Sequence, residues 1–126
     1  MPMPANQPPQ QESLRIAVVG PCAAGKSTLA EALRTAGYDV HQPAQEHSYV
    51  PEMWQRLTNP DLLIYLDVSY SQARERRPHN IDSQQLETQN QRLAHARQHC
   101  NFYLDTSGLT PTQVQERVLS FIAIGD

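Results

Sequence analysis

The sequence predicts an α/β fold, a three-layer αβα sandwich around a small, mainly parallel sheet of about four strands. Four short segments that read as strands, at residues 15–19, 38–42, 61–68 and 101–105, alternate with segments that carry helical periodicity or helix-capping residues. The first and third runs are almost continuously apolar, which is typical of parallel strands buried on both faces. Right-handed crossovers between such strands bring all their C-terminal ends to one edge of the sheet, where ligands bind.

Length, charge and cysteine content bound the possible classes of function. The chain has 126 residues, and we expect one domain at residues 14–126 after a disordered, Pro- and Gln-rich tail at residues 1–13. Ten basic and 13 acidic side chains give a net charge of −3, which disfavours a general affinity for nucleic acid or anionic membranes. No run is long enough to cross a membrane and no signal peptide is visible, so we expect a cytoplasmic protein. In that compartment Cys22 and Cys100 would stay reduced.

Residues 20–28 fit the phosphate-binding pattern G-x-x-x-x-G-K-[ST] at every defined position. The segment reads Gly20, Pro21, Cys22, Ala23, Ala24, Gly25, Lys26, Ser27 and Thr28. An apolar strand precedes it and a predicted helix at residues 28–34 follows it, as a polyphosphate site requires. The glycines allow a sharp turn close to an anion, and the loop N–H groups and the helix N-terminus hold the phosphates. Lys26 would then reach the terminal phosphates, and the Ser27 hydroxyl would ligate Mg²⁺.

The elements after this loop are assigned from periodicity and turn residues. In order, they are a strand at 38–42, a polar loop at 43–48, a helical turn at 51–57, a strand at 61–68, a helix at 70–77 ended by Pro78, a helix at 83–99, and a strand at 101–105. The helix at 83–99 is predicted from Leu86, Leu93 and Cys100, which recur every seven residues. The last helix is predicted to begin with a capping box of Thr110 and Gln113 and to end at Gly125.

Together with the loop at 20–28, three segments make the chain resemble the P-loop kinase group, which includes small kinases of nucleotides, nucleosides, shikimate and gluconate. These segments are the strand at 62–69, the arginine-rich stretch at 74–77 and the closing segment at 102–108. The resemblance covers almost everything from Arg15 onwards. It implies a P-loop NTPase-like fold, binding of ATP with Mg²⁺, and transfer of a phosphoryl group to a small molecule.

The resemblance also implies roles for residues outside the loop. By position, Arg74, Arg76 and Arg77 resemble the arginines of a lid, at about residues 70–82, that closes over the phosphates and stabilises the transferring group. The alternative is that these arginines complement the helix dipole and stay solvated. The loop after the last strand would pack on the nucleotide base, and the residues that match it are Thr106, Ser107 and Gly108.

Only residues 42–61 fill the space where members of this group have an extra strand, one or two helices, the magnesium-binding or base carboxylate, and the acceptor site. Glu46 is our candidate for the missing carboxylate, provided that the strand at 38–42 lies beside the strand at 15–19. It would then hold a magnesium-bound water or orient an acceptor hydroxyl. The alternative is a solvated glutamate in a surface loop. Asp67 and Asp105 are given supporting roles.

Three functions remain open from the sequence. The first is a kinase-like phosphotransferase that moves the γ-phosphate of ATP to a small hydroxyl or phosphate acceptor, with Lys26, Arg74, Arg77 and Glu46 as catalytic residues and Ser27 and Glu46 at the metal. The second is an NTPase that hydrolyses ATP, and the third is a nucleotide-binding regulatory module with little turnover. The sequence leaves the acceptor and the oligomeric state open.

Overall fold

The computed structural model describes residues 14–77 and 82–125. The predicted tail at 1–13 and the predicted helix stop at Pro78 lie outside these residues. The strands are β1 (Arg15–Val19), β2 (Asp39–His41), β3 (Leu62–Asp67) and β4 (Phe102–Asp105). The helices are α1 (Lys26–Thr35), α2 (Met53–Thr58), α3 (Tyr70–Arg76), α4 (Ser83–Arg92), α5 (Ala94–His99) and α6 (Pro111–Gly125), with a 3₁₀ turn at Gln45–His47 between β2 and α2.

The four strands form one parallel sheet in the order β2-β1-β3-β4. Ile16 pairs with Val40 on one side of β1 and with Leu62 on the other, and Asp67 at the end of β3 pairs with Asp105 at the end of β4. The prediction of an α/β fold with a small parallel sheet of four strands is confirmed. Because β2 lies directly beside β1, the segment after β2 leaves the sheet next to the loop at 20–28.

The core lies on both faces of the sheet, since alternate strand residues point to opposite sides. On one face, Ile16 and Ile64 pack against α1 and α6. On the other face, Ala17 and Tyr65 pack against α2 and α5, where Trp54 is buried. The helices therefore form one layer on each side of the sheet, as the sequence predicted.

The segment predicted as one helix at 83–99 is two helices that meet at Leu93, so this prediction was wrong. Leu86 packs into the core cluster on the α1 and α6 side, whereas Leu93 and Ala96 pack into the cluster on the opposite face of the sheet. A single straight helix cannot supply both clusters. The chain therefore turns at Leu93, whose N–H donates to the carbonyl oxygens of Gln89 and Asn90.

The predicted capping box at the start of α6 is confirmed by its hydrogen bonds. The Gln113 N–H donates to Thr110 Oγ1 at 3.1 Å, and the Thr110 N–H donates to Gln113 Oε1 at 2.9 Å. The orphaned N–H groups of the first turn thus gain partners, which fixes the helix start and the direction in which the preceding loop enters it. None of the helices within the described ranges is long and apolar enough to cross a bilayer.

Candidate functional site

The loop at residues 20–28, which we call the glycine loop, joins β1 to α1 and depends on two glycines for different reasons. Gly20 has φ +155°, and a Cβ on it would overlap the carbonyl oxygen of Leu66 in β3. Gly25, the residue before α1, has φ +97° with open space around its missing Cβ. Gly20 is therefore required by close packing, whereas Gly25 is required by its left-handed backbone conformation.

The start of α1 offers several N–H groups to a ligand. No side chain of the described residues caps the helix, and its first turn carries no acidic residue. Leu29 N–H donates to Gly25 O, and among the described residues no acceptor is found for the N–H groups of residues 25–28. These orphaned donors, together with the positive end of the helix dipole, favour an anion at this position.

Lys26 is the only lysine of the chain, and its ammonium group is held inside the loop. Nζ donates to the carbonyl oxygens of Gly20 at 2.8 Å and Pro21 at 3.1 Å. It also lies 3.1 Å from Glu46 Oε2, and the two side chains are only 12% and 8% exposed. The sequence hypothesis placed Glu46 near the phosphate-binding loop, and the structure brings the two residues into a buried ion pair.

Glu46 is buried because the 3₁₀ turn that carries it is anchored by its neighbour Gln45. The Gln45 side chain donates to the carbonyl oxygens of Val50 and Arg92 and accepts from the Trp54 N–H at 2.7 Å. The turn is thereby pressed onto α4, and the Glu46 carboxylate points inward. Its Oε1 is buried without a hydrogen-bond partner among the described residues. An unpaired oxygen of this kind is costly, which marks it as an acceptor for a ligand, water or metal.

The glycine loop and this turn enclose a polar cavity of about 400 Å³, which we call the phosphate cavity. The residues that line it include Gly25, Lys26, Ser27, Glu46 and His47. The Ser27 hydroxyl lies 3.2 Å from Gln42 Oε1 on the same cavity. Ser27 and Glu46 are both oxygen donors, the ligand type that Mg²⁺ prefers, and they border one space. The donor set therefore fits the predicted metal.

A second cavity, of about 300 Å³, shares Ala23, Gly25 and Thr28 with the phosphate cavity and is mainly apolar. We call it the apolar cavity. It is lined by Ala23, Leu29, Leu109, Pro111 and other residues of the loop and of α6. The volume and apolar walls suit a flat ring of the size of a nucleobase.

Arg76 and Thr106 hold the apolar cavity together. Arg76 Nη1 donates to Ala23 O at 2.7 Å and to Thr106 Oγ1 at 3.1 Å, and Nη2 donates to Thr106 O at 2.8 Å. The Thr106 hydroxyl in turn donates to Ala24 O at 2.9 Å. One guanidinium group therefore connects α3, the glycine loop and the segment after β4.

The three arginines of the predicted lid have different surroundings. Arg76 contacts the glycine loop, as described above, and Arg77 lines the phosphate cavity. Arg74 donates to the Tyr70 hydroxyl of its own helix at 3.0 Å and is exposed. Arg76 was not among our expected catalytic residues, because helix phase on a short segment does not reveal which of three close arginines faces the loop.

The other predicted site residues also lie in different surroundings. Thr106 lines the apolar cavity, whereas Ser107 accepts a hydrogen bond from the Ser69 N–H at 2.8 Å. Gly108 has φ +79° and makes the turn that leads to Leu109 on the cavity wall. Asp67 accepts from the Tyr103 hydroxyl and from the Val68 N–H, so both of its oxygens have partners away from the loop.

A third cavity, of about 490 Å³, adjoins the phosphate cavity and shares Cys22 and His47 with it. Its other walls come from the start and the inner face of α4, and we call it the α4 cavity. The side chains of α4 that line it are polar, and they are Gln84, Gln85, Thr88, Gln89 and Arg92. The sequence analysis missed this surface, because an amide-rich helix carries no signal that distinguishes a binding wall from a solvated face.

The chain was compared with known proteins in two ways. No model of a protein family matches the sequence, and no curated protein matches it either.

Proposed function

We propose that the glycine loop is a P-loop that binds the phosphates of ATP, and that the chain is a kinase-like phosphotransferase acting on a small molecule. One observation carries the proposal. The only lysine, the start of α1 and the buried Glu46 carboxylate border the same cavity, and the part of the chain that the structure describes offers no partner to the first N–H groups of α1 or to Glu46 Oε1. Neutral donors and an ammonium group are the partners that a triphosphate needs, and the carboxylate suits the cation that accompanies it.

The neighbouring cavities support a nucleotide with an acceptor. The apolar cavity and the phosphate cavity share Ala23, Gly25 and Thr28 in their walls, so a base and its phosphates can occupy the two at once. The Arg76 guanidinium lies on the cavity wall, where it can stack on a ring. The α4 cavity shares Cys22 and His47 with the phosphate cavity, and its polar side chains suit a hydroxylated acceptor. This third space favours transfer over simple hydrolysis.

Each residue has a distinct part in the proposed reaction. Lys26 would exchange its carbonyl contacts for oxygens of the terminal phosphates and stabilise the charge that builds up during transfer. Mg²⁺ held by Ser27 and Glu46 would neutralise phosphate charge. Glu46 Oε1 would accept a hydrogen bond from the acceptor hydroxyl or from a metal-bound water. Arg77, on the wall of the same cavity, would contact the transferring group.

The binding step is tested with the full chain by calorimetry. We expect Mg-ATP to bind, and Lys26→Ala to weaken binding at least about tenfold, the loss expected when one charged contact is removed. The matched control is Arg56→Ala, which also removes one positive charge but whose partner is Glu52, the residue before α2. No heat of binding with ATP, ADP or GTP at millimolar concentration would overturn the proposal.

Because Lys26 is the only lysine, chemical labelling gives a second readout. Acetic anhydride would acetylate Lys26 and the N-terminal amine, and peptide mass spectrometry would quantify both. We expect Mg-ATP to protect Lys26 while the N-terminal amine reacts as before. Equal labelling of Lys26 with and without nucleotide would contradict the assignment.

Turnover is tested with γ-labelled ATP and a panel of polyols, hydroxy acids, nucleosides and nucleoside monophosphates. Label that moves to one acceptor, with ADP released only in its presence, is the expected result. Release of phosphate without any acceptor would indicate that the protein is an ATPase and not a kinase. Binding of ATP without phosphoryl transfer or phosphate release would indicate a nucleotide-binding regulatory module.

A further inference from the structure

We propose that Cys22, Glu46 and His47 form a binding site for a transition-metal ion of the Zn²⁺ type. The site lies between the phosphate cavity and the α4 cavity. It would supply one sulfur, one oxygen and one nitrogen ligand, with the fourth position left for water or an external ligand. The inference does not require nucleotide binding, because it rests on these three side chains alone.

The three ligand atoms are already close together. Cys22 Sγ lies 4.0 Å from His47 Nε2, and His47 Nε2 lies 3.9 Å from Glu46 Oε2. One ligand atom from each residue lies within 4.8 Å of the other two. Tetrahedral Zn²⁺ with ordinary bond lengths separates its ligand atoms by about 3.3–3.6 Å. Side-chain rotations that shorten these two distances by about half an ångström, and that bring the Cys22 and Glu46 ligand atoms from within 4.8 Å to about 3.6 Å, would close the site.

The donor set selects the class of metal. A thiolate and an imidazole are poor ligands for Mg²⁺ and Ca²⁺ but suit Zn²⁺, Co²⁺ and related ions. Three protein ligands and one open position are also the usual arrangement of zinc sites that bind an external ligand. Glu46 would therefore belong to two alternative metal sites. With Ser27 it offers oxygen ligands only, and with Cys22 and His47 it completes a set of sulfur, nitrogen and oxygen ligands.

The burial of Glu46 gives an independent reason for a cation here. Its residue surface is 6% exposed, and Oε1 has no hydrogen-bond partner among the described residues. The ammonium of Lys26 neutralises only the Oε2 side of the carboxylate. The distance to His47 is measured from this same Oε2, so a metal ion would satisfy the remaining oxygen by binding both oxygens of the carboxylate. His47 is exposed, which gives the ion a path from solvent.

Gln89 of α4 positions the cysteine. Its Oε1 accepts the Cys22 N–H at 2.8 Å, and its Nε2 donates to Cys22 Sγ at 3.3 Å. Gln89 is buried, so both contacts are fixed by packing. An amide that donates to sulfur is the kind of outer contact that orients a metal-bound thiolate. On metal binding the Cys22 thiol would lose its proton to the buffer.

The test is a Co²⁺ titration of the full chain without nucleotide, because Co²⁺ reports on its own ligands by absorption. A tetrahedral site with a thiolate gives visible d–d bands and a sulfur-to-cobalt charge-transfer band in the near ultraviolet. We expect both bands to saturate at one Co²⁺ per chain and to vanish when Zn²⁺ is added. Bands that fail to appear, or that never saturate, would overturn the proposal.

Matched variants assign the ligands. Cys22→Ser should abolish the charge-transfer band, and His47→Gln and Glu46→Gln should each weaken binding at least about 100-fold, since outer-shell changes alone cost 10–100-fold. The controls are Cys100→Ser, which removes the other thiol, and His41→Gln, which removes an exposed histidine that contacts Asp39. Both controls should bind like the wild type. Loss of the band in Cys100→Ser but not in Cys22→Ser would refute the site, and circular dichroism would confirm that each variant is folded.

Discussion

Lys26 Nζ and Glu46 Oε2 lie 3.1 Å apart at the boundary between the glycine loop and the 3₁₀ turn. Each side chain is the counter-charge of the other, and both are nearly excluded from solvent. Lys26 has two further acceptors, the carbonyl oxygens of Gly20 and Pro21. Within residues 14–77 and 82–125, the other oxygen of Glu46 has no comparable second partner. The two residues therefore depend on their pairing to different extents.

This asymmetry predicts the stability of variants in the pair. Lys26→Met should lower the free energy of unfolding by about 3 kcal/mol, because it leaves a buried carboxylate without its counter-charge. Glu46→Gln should cost less, since Lys26 keeps two carbonyl partners. The double variant should be more stable than Lys26→Met alone. Urea denaturation measures all three.

The exposed pair of Arg56 and Glu52 is the control for the comparison of the single and double variants of Lys26 and Glu46. Glu52 is the residue before α2 and Arg56 lies one turn into it, with 3.0 Å between Arg56 Nη2 and Glu52 Oε2. A double-mutant cycle of Arg56→Met and Glu52→Gln should show no measurable coupling, because solvent screens exposed pairs. If the losses in the free energy of unfolding at Lys26 and Glu46 add up in the double variant to within about 0.5 kcal/mol, then Lys26 does not stabilise the buried Glu46 carboxylate.

Arg76 should contribute more to stability than Arg74, although the two lie on the same short helix. Arg76→Lys loses the planar fork that contacts Ala23 O and two atoms of Thr106, so we expect a loss of about 1–2 kcal/mol. Arg74→Lys removes only a contact to Tyr70 within α3 and should change stability by less than about 0.5 kcal/mol. Chemical denaturation compares the two. Equal losses would show that the Arg76 contacts do not stabilise the loop.

These arginines also show how far the sequence could predict the site. The glycine loop was predicted because its signals are local, a buried strand, two glycines and a helix start within one short segment. The choice among Arg74, Arg76 and Arg77 depends on how α3 packs on the sheet, which its sequence does not encode locally. Similarly, Leu86 and Leu93 share a seven-residue spacing, but they serve opposite faces of the sheet, and only the tertiary structure separates them.

For Glu46, the sequence predicted the location of the residue but not its burial. Its proximity to the loop was predicted on the condition that β2 lies beside β1, and this condition is met. The burial of the carboxylate was not predicted, because the segment at 43–48 reads as a polar surface loop. The residue that buries it, Gln45, is itself polar and almost fully enclosed. Hydropathy does not indicate burial when a polar side chain is satisfied by backbone groups.

The two glycines of the loop should differ in the cost of an alanine. Gly25→Ala adds a methyl group in open space, so it should cost about 1–3 kcal/mol from the left-handed conformation alone. Gly20→Ala forces a Cβ onto the carbonyl oxygen of Leu66 and must separate β1 from β3, so it should cost more than about 3 kcal/mol or prevent folding. Thermal denaturation distinguishes the two. A Gly20→Ala protein as stable as Gly25→Ala would contradict the packing described here.

The alkaline stability of the protein should depend on Tyr103. Its ring stacks on Tyr65 with 5.6 Å between centroids, and its hydroxyl donates to Asp67 Oδ2. Partial burial, and then the hydrogen bond to Asp67 and the negative charge of that carboxylate, raise the pKa of Tyr103 above the usual value of 10.0. The pKa of Tyr65 is also raised, chiefly by burial, although its contact with Arg97 opposes this shift.

A raised pKa means that the folded protein holds the phenolic proton more tightly than the unfolded chain does. The resulting stabilisation is complete below about pH 10 and decreases as the pH rises above that value. Tyr103→Phe has no proton to lose, so its free energy of unfolding should fall less steeply between about pH 9 and pH 11 than that of the wild type. Urea titrations at a series of pH values measure the slopes. Identical slopes for Tyr103→Phe and the wild type would show that the contact between Tyr103 and Asp67 does not couple proton binding to folding.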